Sequence, residues 1–323
     1  MLFLTLLLAL SSCLDKNAKP VLPAVNGELS EVLLLMPEQY WNGPLGNAVK
    51  DSFADMYPSL PQIENSCSVI QIPPSLFDGI FLTHRNVISF RIKNGVKPTM
   101  TIQKDTYAKT QVIVGLEASS IEELISLFNS KSAYLVQYFL AIERKRLMDS
   151  YKSATDLKIS EHLKSKYNLY LAVPRGYLLS IDKPGFTWIS NETEYFLLGI
   201  FVYSYDYTDT AQLSKERLIA KRNEVLQKYV PGRVEKSYMG TEMQFPIDSK
   251  RFEFEKNSYY EIRGLWRMLN GDFMGGPFIN VSIIDVAKNK IIGIDAYAFA
   301  PNKDKRALIQ QLEAILYSAK AFN

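Results

Sequence analysis

Few residues in this chain could do chemistry. Two histidines, His84 and His162, stand far apart, and neither has a partner at metal-ligand spacing, so no zinc ligand set forms. A serine or cysteine triad would need one of them as base, and the glycine-serine-glycine nucleophile elbow is absent. No phosphate-cradling glycine loop precedes a helix. Three carboxylates, Asp272, Asp285 and Asp295, fall in or near the last hairpin, where a pair could run acid and base chemistry; any chain of this size offers such pairs. Cys67, within Ser66-Cys67-Ser68-Val69-Ile70, reads as a small buried hydrophobe on a strand rather than a nucleophile. The sequence therefore assigns no catalytic residue, no metal and no cofactor.

Cys13 differs because of what precedes it. Leu2-Phe3-Leu4-Thr5-Leu6-Leu7-Leu8-Ala9-Leu10 is a nearly continuous apolar run. At about 1.5 Å per residue it is too short for a bilayer core of about 30 Å. It reads as the h-region of a signal peptide over residues 1–12, with Ser11 and Ser12 giving a peptidase access to the bond before Cys13. The segment resembles the signal of bacterial lipoproteins. That resemblance implies that the Cys13 thiol receives a diacylglyceryl group, that the chain is cut before it, and that the new amine is acylated. Several acyl chains, at about 0.8 kcal/mol per buried CH₂, then anchor the protein to a membrane. With Cys13 so committed, Cys67 has no intramolecular disulfide partner.

The hydrophobic fraction of 47% and charged fraction of 22% are those of a folded globular chain. Formal net charge is +3 on 37 basic and 34 acidic residues, both signs interspersed, which lacks the basic stripe that nucleic acid requires. The 19 tyrosines and 17 phenylalanines suit sheets with aromatic faces.

Pro20 and Pro23 mark residues 13–27 as a flexible tether. Strands are expected at 31–36, 67–72, 87–92 and 111–116, a helix at 46–56, and a turn at Asn94-Gly95. Ser119-Ser120-Ile121-Glu122-Glu123 opens a helix with a serine cap and an acidic first turn. A longer helix spans 132–151; its Arg144-Lys145-Arg146 end reads as a solvated face complementing the helix C-terminus. The polar stretch 150–158 separates two α+β domains, 28–152 and 153–323. In the second, a helix at 215–229 ends at Pro231-Gly232, a strand covers 259–268, a hairpin covers 278–299, and a final helix covers 303–321. A strand, a turn and an amphipathic helix recur at 111–128, 196–229 and 291–321. Hairpins precede two of these copies, so the expected fold is α+β, with antiparallel sheets and helices packed on one face, in two similar subdomains.

The most unusual stretch runs from Arg263 to Phe278, where aromatics, methionines and glycines surround a turn. Arg263, Trp266, Asp272, Phe273, Met274 and Phe278 are the candidate binding surface, a flat apolar contact for a partner protein or a sugar ring. The competing arrangement tucks Trp266 and Phe273 into the core, with glycines supplying positive φ. Tyr203, Tyr205 and Tyr207 share one face of another long strand and offer a second aromatic surface or core packing.

The lipoprotein signal, residues 111–118, Tyr207-Thr208-Asp209-Thr210, Tyr229-Val230-Pro231-Gly232, Arg263-Gly264-Leu265-Trp266 and Asp272-Phe273-Met274-Gly275-Gly276-Pro277-Phe278 together resemble an uncharacterised lipoprotein family of the Bacteroidota, a domain of unknown function. The resemblance implies a bacterial envelope protein, supports lipid on Cys13 and transfers no catalytic residue. Surface-exposed lipoproteins of that phylum tend to carry acidic residues just after the lipidated cysteine, so with mixed Asp15 and Lys16 the resemblance implies a periplasm-facing orientation at the outer membrane. The expectation is a non-catalytic protein that binds an envelope protein or a glycan; the alternative is a carboxylate-dependent hydrolase of cell-wall or polysaccharide substrates.

Overall fold

Glu31-Val32-Leu33-Leu34-Leu35 forms β1 (Glu31–Leu35), and all five residues are buried. A strand apolar on both faces needs cover on both sides, the signature of a parallel sheet. The computed structural model, which describes residues 21–254, 257–271 and 273–322, supplies that cover. From β1 the chain passes through α1 (Glu38–Trp41) and α2 (Pro44–Phe53) to β2 (Ser68–Ile72), β3 (Asn86–Ile92), β4 (Thr99–Lys104) and β5 (Val112–Ala118). The sheet order is β2-β1-β3-β5-β4. Its first three pairings are parallel and only the edge strand β4 is antiparallel, to β5. The α+β class holds, but this first sheet is mixed rather than antiparallel. Asn94-Gly95 does turn, with Gly95 at φ +75. Yet β5 inserts between the two strands it joins, because a turn reports that the chain reverses and not which strand fills the gap.

Next comes α3 (Ile121–Ser153), one helix of 33 residues where two were expected. At 1.5 Å per residue it is about 50 Å long. Ser120 accepts from the Glu123 N–H at 3.3 Å, and the Glu123 carboxylate accepts from the Ser119 N–H at 3.1 Å, so both ends of the cap are satisfied. Nothing stops the helix midway, since Asn129-Ser130-Lys131-Ser132 contains neither glycine nor proline. Its first half packs Leu124, Phe128, Leu135 and Phe139 on the first sheet. Its second half brings Met148, Leu147 and Tyr151 to the core of the second.

The second unit contains α4 (Leu157–Tyr167), β6 (Leu169–Tyr170), β7 (Leu178–Lys183), β8 (Phe186–Glu192), β9 (Leu197–Asp206), α5 (Lys215–Tyr229), β10 (Tyr238–Thr241), β11 (Asp248–Phe254), β12 (Asn257–Leu269), β13 (Gly275–Asp285), β14 (Lys290–Phe299), α6 (Arg306–Leu316) and β15 (Lys320–Ala321). Its antiparallel sheet runs β10-β12-β13-β14-β9-β8-β7, with β11 also on β12, and curls into a half-barrel. Alternating side chains split into two cores. Ile200, Val202, Ile279, Val281, Ile292 and Ile294 face α6, while Phe201, Tyr203, Trp266, Phe278 and Tyr297 face α5. Helices thus cover both faces rather than one, because these strands are apolar on both.

The chain is already paired before residue 28. Lys109 N–H donates to Pro23 O at 2.8 Å and Asn26 N–H to Thr83 O at 3.0 Å, so the end of the expected tether is docked on the first unit. The expected signal peptide and Cys13 lie outside the described residues. Among the described residues no helix is long and apolar enough to cross a membrane.

Candidate functional site

Two buried ionic clusters fix the helices on the large sheet. On the α6 face, Glu313 accepts from the Tyr57 hydroxyl at 2.6 Å and pairs with Arg144 at 2.5 Å, with Arg263 at 3.6 Å. Arg263 also reaches Glu261 at 2.7 Å, and the Tyr317 hydroxyl donates to Glu261 at 2.6 Å. Burial pushes the Glu313 carboxyl up, but Arg263 and Arg144 outweigh it and hold the pKa at about 2. Tyr57 and Arg144 come from the first unit and Glu313 and Arg263 from the second, so the cluster is a clamp between units. The carboxylate of Glu64 reinforces it, accepting from the Lys305 and Arg306 N–H groups at 2.8 Å each at the start of α6.

Arg144 and Arg146 are therefore not on a solvated face. Arg146 reaches Glu143 at 2.5 Å, the Asn86 side chain at 2.9 Å and Arg85 O at 2.9 Å. Of the three, only Lys145 lies on the surface, 2.8 Å from Asp149.

On the opposite face, Arg222 of α5 donates to both oxygens of Asp295, at 2.6 and 3.2 Å, and to the Thr241 hydroxyl at 2.8 Å. Asn280 donates to Asp295 at 3.1 Å, and the guanidinium lies 3.6 Å above the Phe278 ring. Two rings lie flat on this face because a glycine sits opposite each. Tyr297 pairs with Gly199 and Tyr203 with Gly293 in the β14–β9 register. A Cβ at Gly199 would stand 2.1 Å from the Tyr297 ring.

Helix α5 covers only part of this face. Beyond Tyr229 the chain turns away through Val230-Pro231-Gly232, leaving a cleft of about 270 Å³ at the mouth of the half-barrel. Trp266, Tyr297 and Trp188 form its aromatic wall. The Trp266 N–H donates to Ala298 O at 3.3 Å, and its ring meets Tyr297 edge-on at 5.3 Å. Trp188 meets Phe201 edge-on at 5.2 Å. Met239, Met268 and Met274, from three different strands or their ends, supply adaptable, polarisable surface. Burial raises the Tyr297 pKa, so its hydroxyl stays neutral. Arg233 is the one charged residue among the lining side chains. The wall is apolar, and its lining side chains include no nucleophile paired with a base.

The candidate surface is divided by this architecture. Trp266 and Met274 line the cleft. Phe273 is fully exposed at the tip of the β12–β13 hairpin, whereas Trp266 is 2% exposed. Arg263 is buried on the α6 face, and Phe278 is buried beneath Arg222. Asp272 lies outside the described residues. The carboxylates Asp285 and Asp295 do not meet: Asp285 accepts from Asn168 and the Lys288 N–H, on the face opposite Asp295. Tyr203 and Tyr205 stack at 6.4 Å beneath α5, as core packing. His84 bonds Glu31 at 2.9 Å in the first unit, and His162 lies 3.2 Å from Asp182 in the second. Sequence reasoning missed Trp188, Leu197, Met239, Met268 and Tyr297. Only the turn at Pro231-Gly232, where the covering helix must end, hinted at them.

The fold is a mixed α+β arrangement in which one long helix bridges a five-stranded and an eight-stranded sheet. The chain belongs to the family described as "Domain of unknown function (DUF4837)", whose model matches residues 156–318; a second model, also "Domain of unknown function (DUF8532)", matches residues 25–152. No curated protein matches it. Among solved structures it is similar to the Saccharomyces cerevisiae Ran-binding protein Mog1p, at 11% identity and TM-score 0.31, covering 48% of this chain and 90% of that one. It is also similar to LpqN, involved in cell envelope biogenesis of Mycobacterium tuberculosis, at 12% identity and TM-score 0.29, covering 47% and 82%.

Proposed function

We propose that this is a lipid-anchored bacterial envelope protein, tethered through Cys13 and facing the periplasm, whose role is to bind another envelope component without transforming it. The observation that carries the binding role is the open cleft: an apolar, aromatic and methionine wall left uncovered at the end of α5, while the buried ionisable groups beside it are spent on holding helices in place. Few convergent hydrogen-bonding groups face the cleft, which favours an apolar occupant over a sugar ring. The anchor rests on the sequence before Cys13.

Crosslinking in native membranes, followed by mass spectrometry of everything recovered with the protein, tests both parts. The Cys13 peptide is expected to carry acyl chains, and Met274→Asp is expected to remove most of what co-purifies. A bare Cys13 thiol in a soluble fraction would sink the anchor. An unchanged set of proteins and small molecules with Met274→Asp would sink the cleft.

A further inference from the structure

The cleft has a polarity that narrows its occupant. Its inner wall is Trp266, Tyr297 and Met239, all buried, with Trp188 and Met268 half-buried above them. The one polar donor of the Trp266 ring is already given to Ala298 O. Beyond Arg233, the Trp188 N–H is buried without a partner among the described residues, and that is too little to satisfy the several hydroxyls of a sugar ring stripped of water. At the mouth, Arg233 is exposed and has no ion-pair partner among the described residues, while Arg267 nearby is held by Glu242 at 3.2 Å. The free positive charge therefore stands at the open end of an otherwise uncharged slot. At about 270 Å³ the cleft lies at the small end of ligand clefts, a size that admits one slender chain. Three methionines can re-pack around a chain of variable length.

Resting on the binding role proposed above, we infer that the cleft takes a single aliphatic chain ending in a carboxylate, a medium-chain fatty acid, with the chain along Trp266, Tyr297 and Met268 and the anionic end at Arg233. Burial of methylenes against the wall supplies the affinity, and Arg233 selects the charged head.

The test uses the full chain carrying Cys13→Ala, which stays unacylated, and reads the fluorescence of Trp188 and Trp266; Trp41, in the first unit, is a constant background. Sodium decanoate below its micellar concentration, decanol and cellobiose are titrated separately. Decanoate is expected to saturate the signal and cellobiose to leave it unchanged. Arg233→Ala is expected to weaken decanoate up to about fivefold while sparing decanol, the range of an exposed ion pair. Met274→Asp is expected to abolish both alkyl ligands with circular dichroism and Tm retained, and Met268→Gln gives the same reading should that variant unfold. Binding of cellobiose, or of neither alkyl ligand, overturns the inference. Equal loss of decanoate and decanol in Arg233→Ala overturns the head-group assignment. If decanoate fails while capture of envelope material still depends on Met274, the binding role survives and only the fatty acid falls.

Discussion

The two faces of the large sheet are built alike but finished differently. On one, α6 and the far half of α3 seal the surface, and a carboxylate shared by both units sits at the centre of the seal. On the other, α5 is locked by an equally buried ion pair, yet it stops short and leaves aromatic rings and methionines facing an opening. Charges buried deep in this molecule thus position helices, and the cleft at the end of α5 carries almost no charge. Ionisable groups drew attention in the sequence, but here the buried ones hold helices on the sheet.

Breaking the sealed side should have the largest effect. Glu313→Ala leaves Arg144 and Arg263 buried without their shared anion, and is expected to cost about 3–5 kcal/mol in chemical denaturation, uncoupling the two units. The same group makes stability depend on pH. Because its folded pKa is depressed to about 2, its contribution is complete above the ordinary glutamate range and is lost as pH falls from about 4.5 toward 2. About 3 kcal/mol should disappear over that window in the native protein, and less in Glu313→Gln. A flat acid profile in the native protein would remove Glu313 from the centre of the clamp.

The second cluster should respond less once both partners change. Asp295→Ala alone strands Arg222 and is expected to cost about 3 kcal/mol, whereas Arg222→Met with Asp295→Leu should recover most of that loss, since apolar packing can replace a buried pair. A double variant as unstable as the single would mean that the pair does more than hold α5. The smallest stability effect is expected at the tip of the β12–β13 hairpin. Phe273→Ser should shift unfolding by less than about 0.5 kcal/mol, because the ring is fully exposed. A larger loss would mean that the hairpin tip packs against something.

Much of the local structure was legible. The Ser120 cap, the 215–229 helix and the hairpin about residues 288–290 follow from short-range chemistry: a hydroxyl near free N–H groups, an apolar stripe, a turn between alternating runs. The candidate surface was read less well, and one reason lay within reach. Arg263 and Trp266 are three residues apart on a strand, an odd separation that sends them to opposite faces, so they cannot share one contact. Arg144 and Arg146 likewise looked solvated, because helical position gives no view of what packs against the helix from outside.

Composition and motif spacing by themselves determined that the chain folds with helices and strands, where most of them begin and end, and that no familiar catalytic constellation is present in the sequence. Only the tertiary structure decided that β5 separates β3 from β4, that Glu313 is shared between units, and that Trp188, Tyr297 and Trp266 meet at one opening. The physical reason is range. Capping, turns and periodicity act over a few residues, whereas strand order and the point at which a helix stops covering a sheet depend on contacts between segments far apart in the chain.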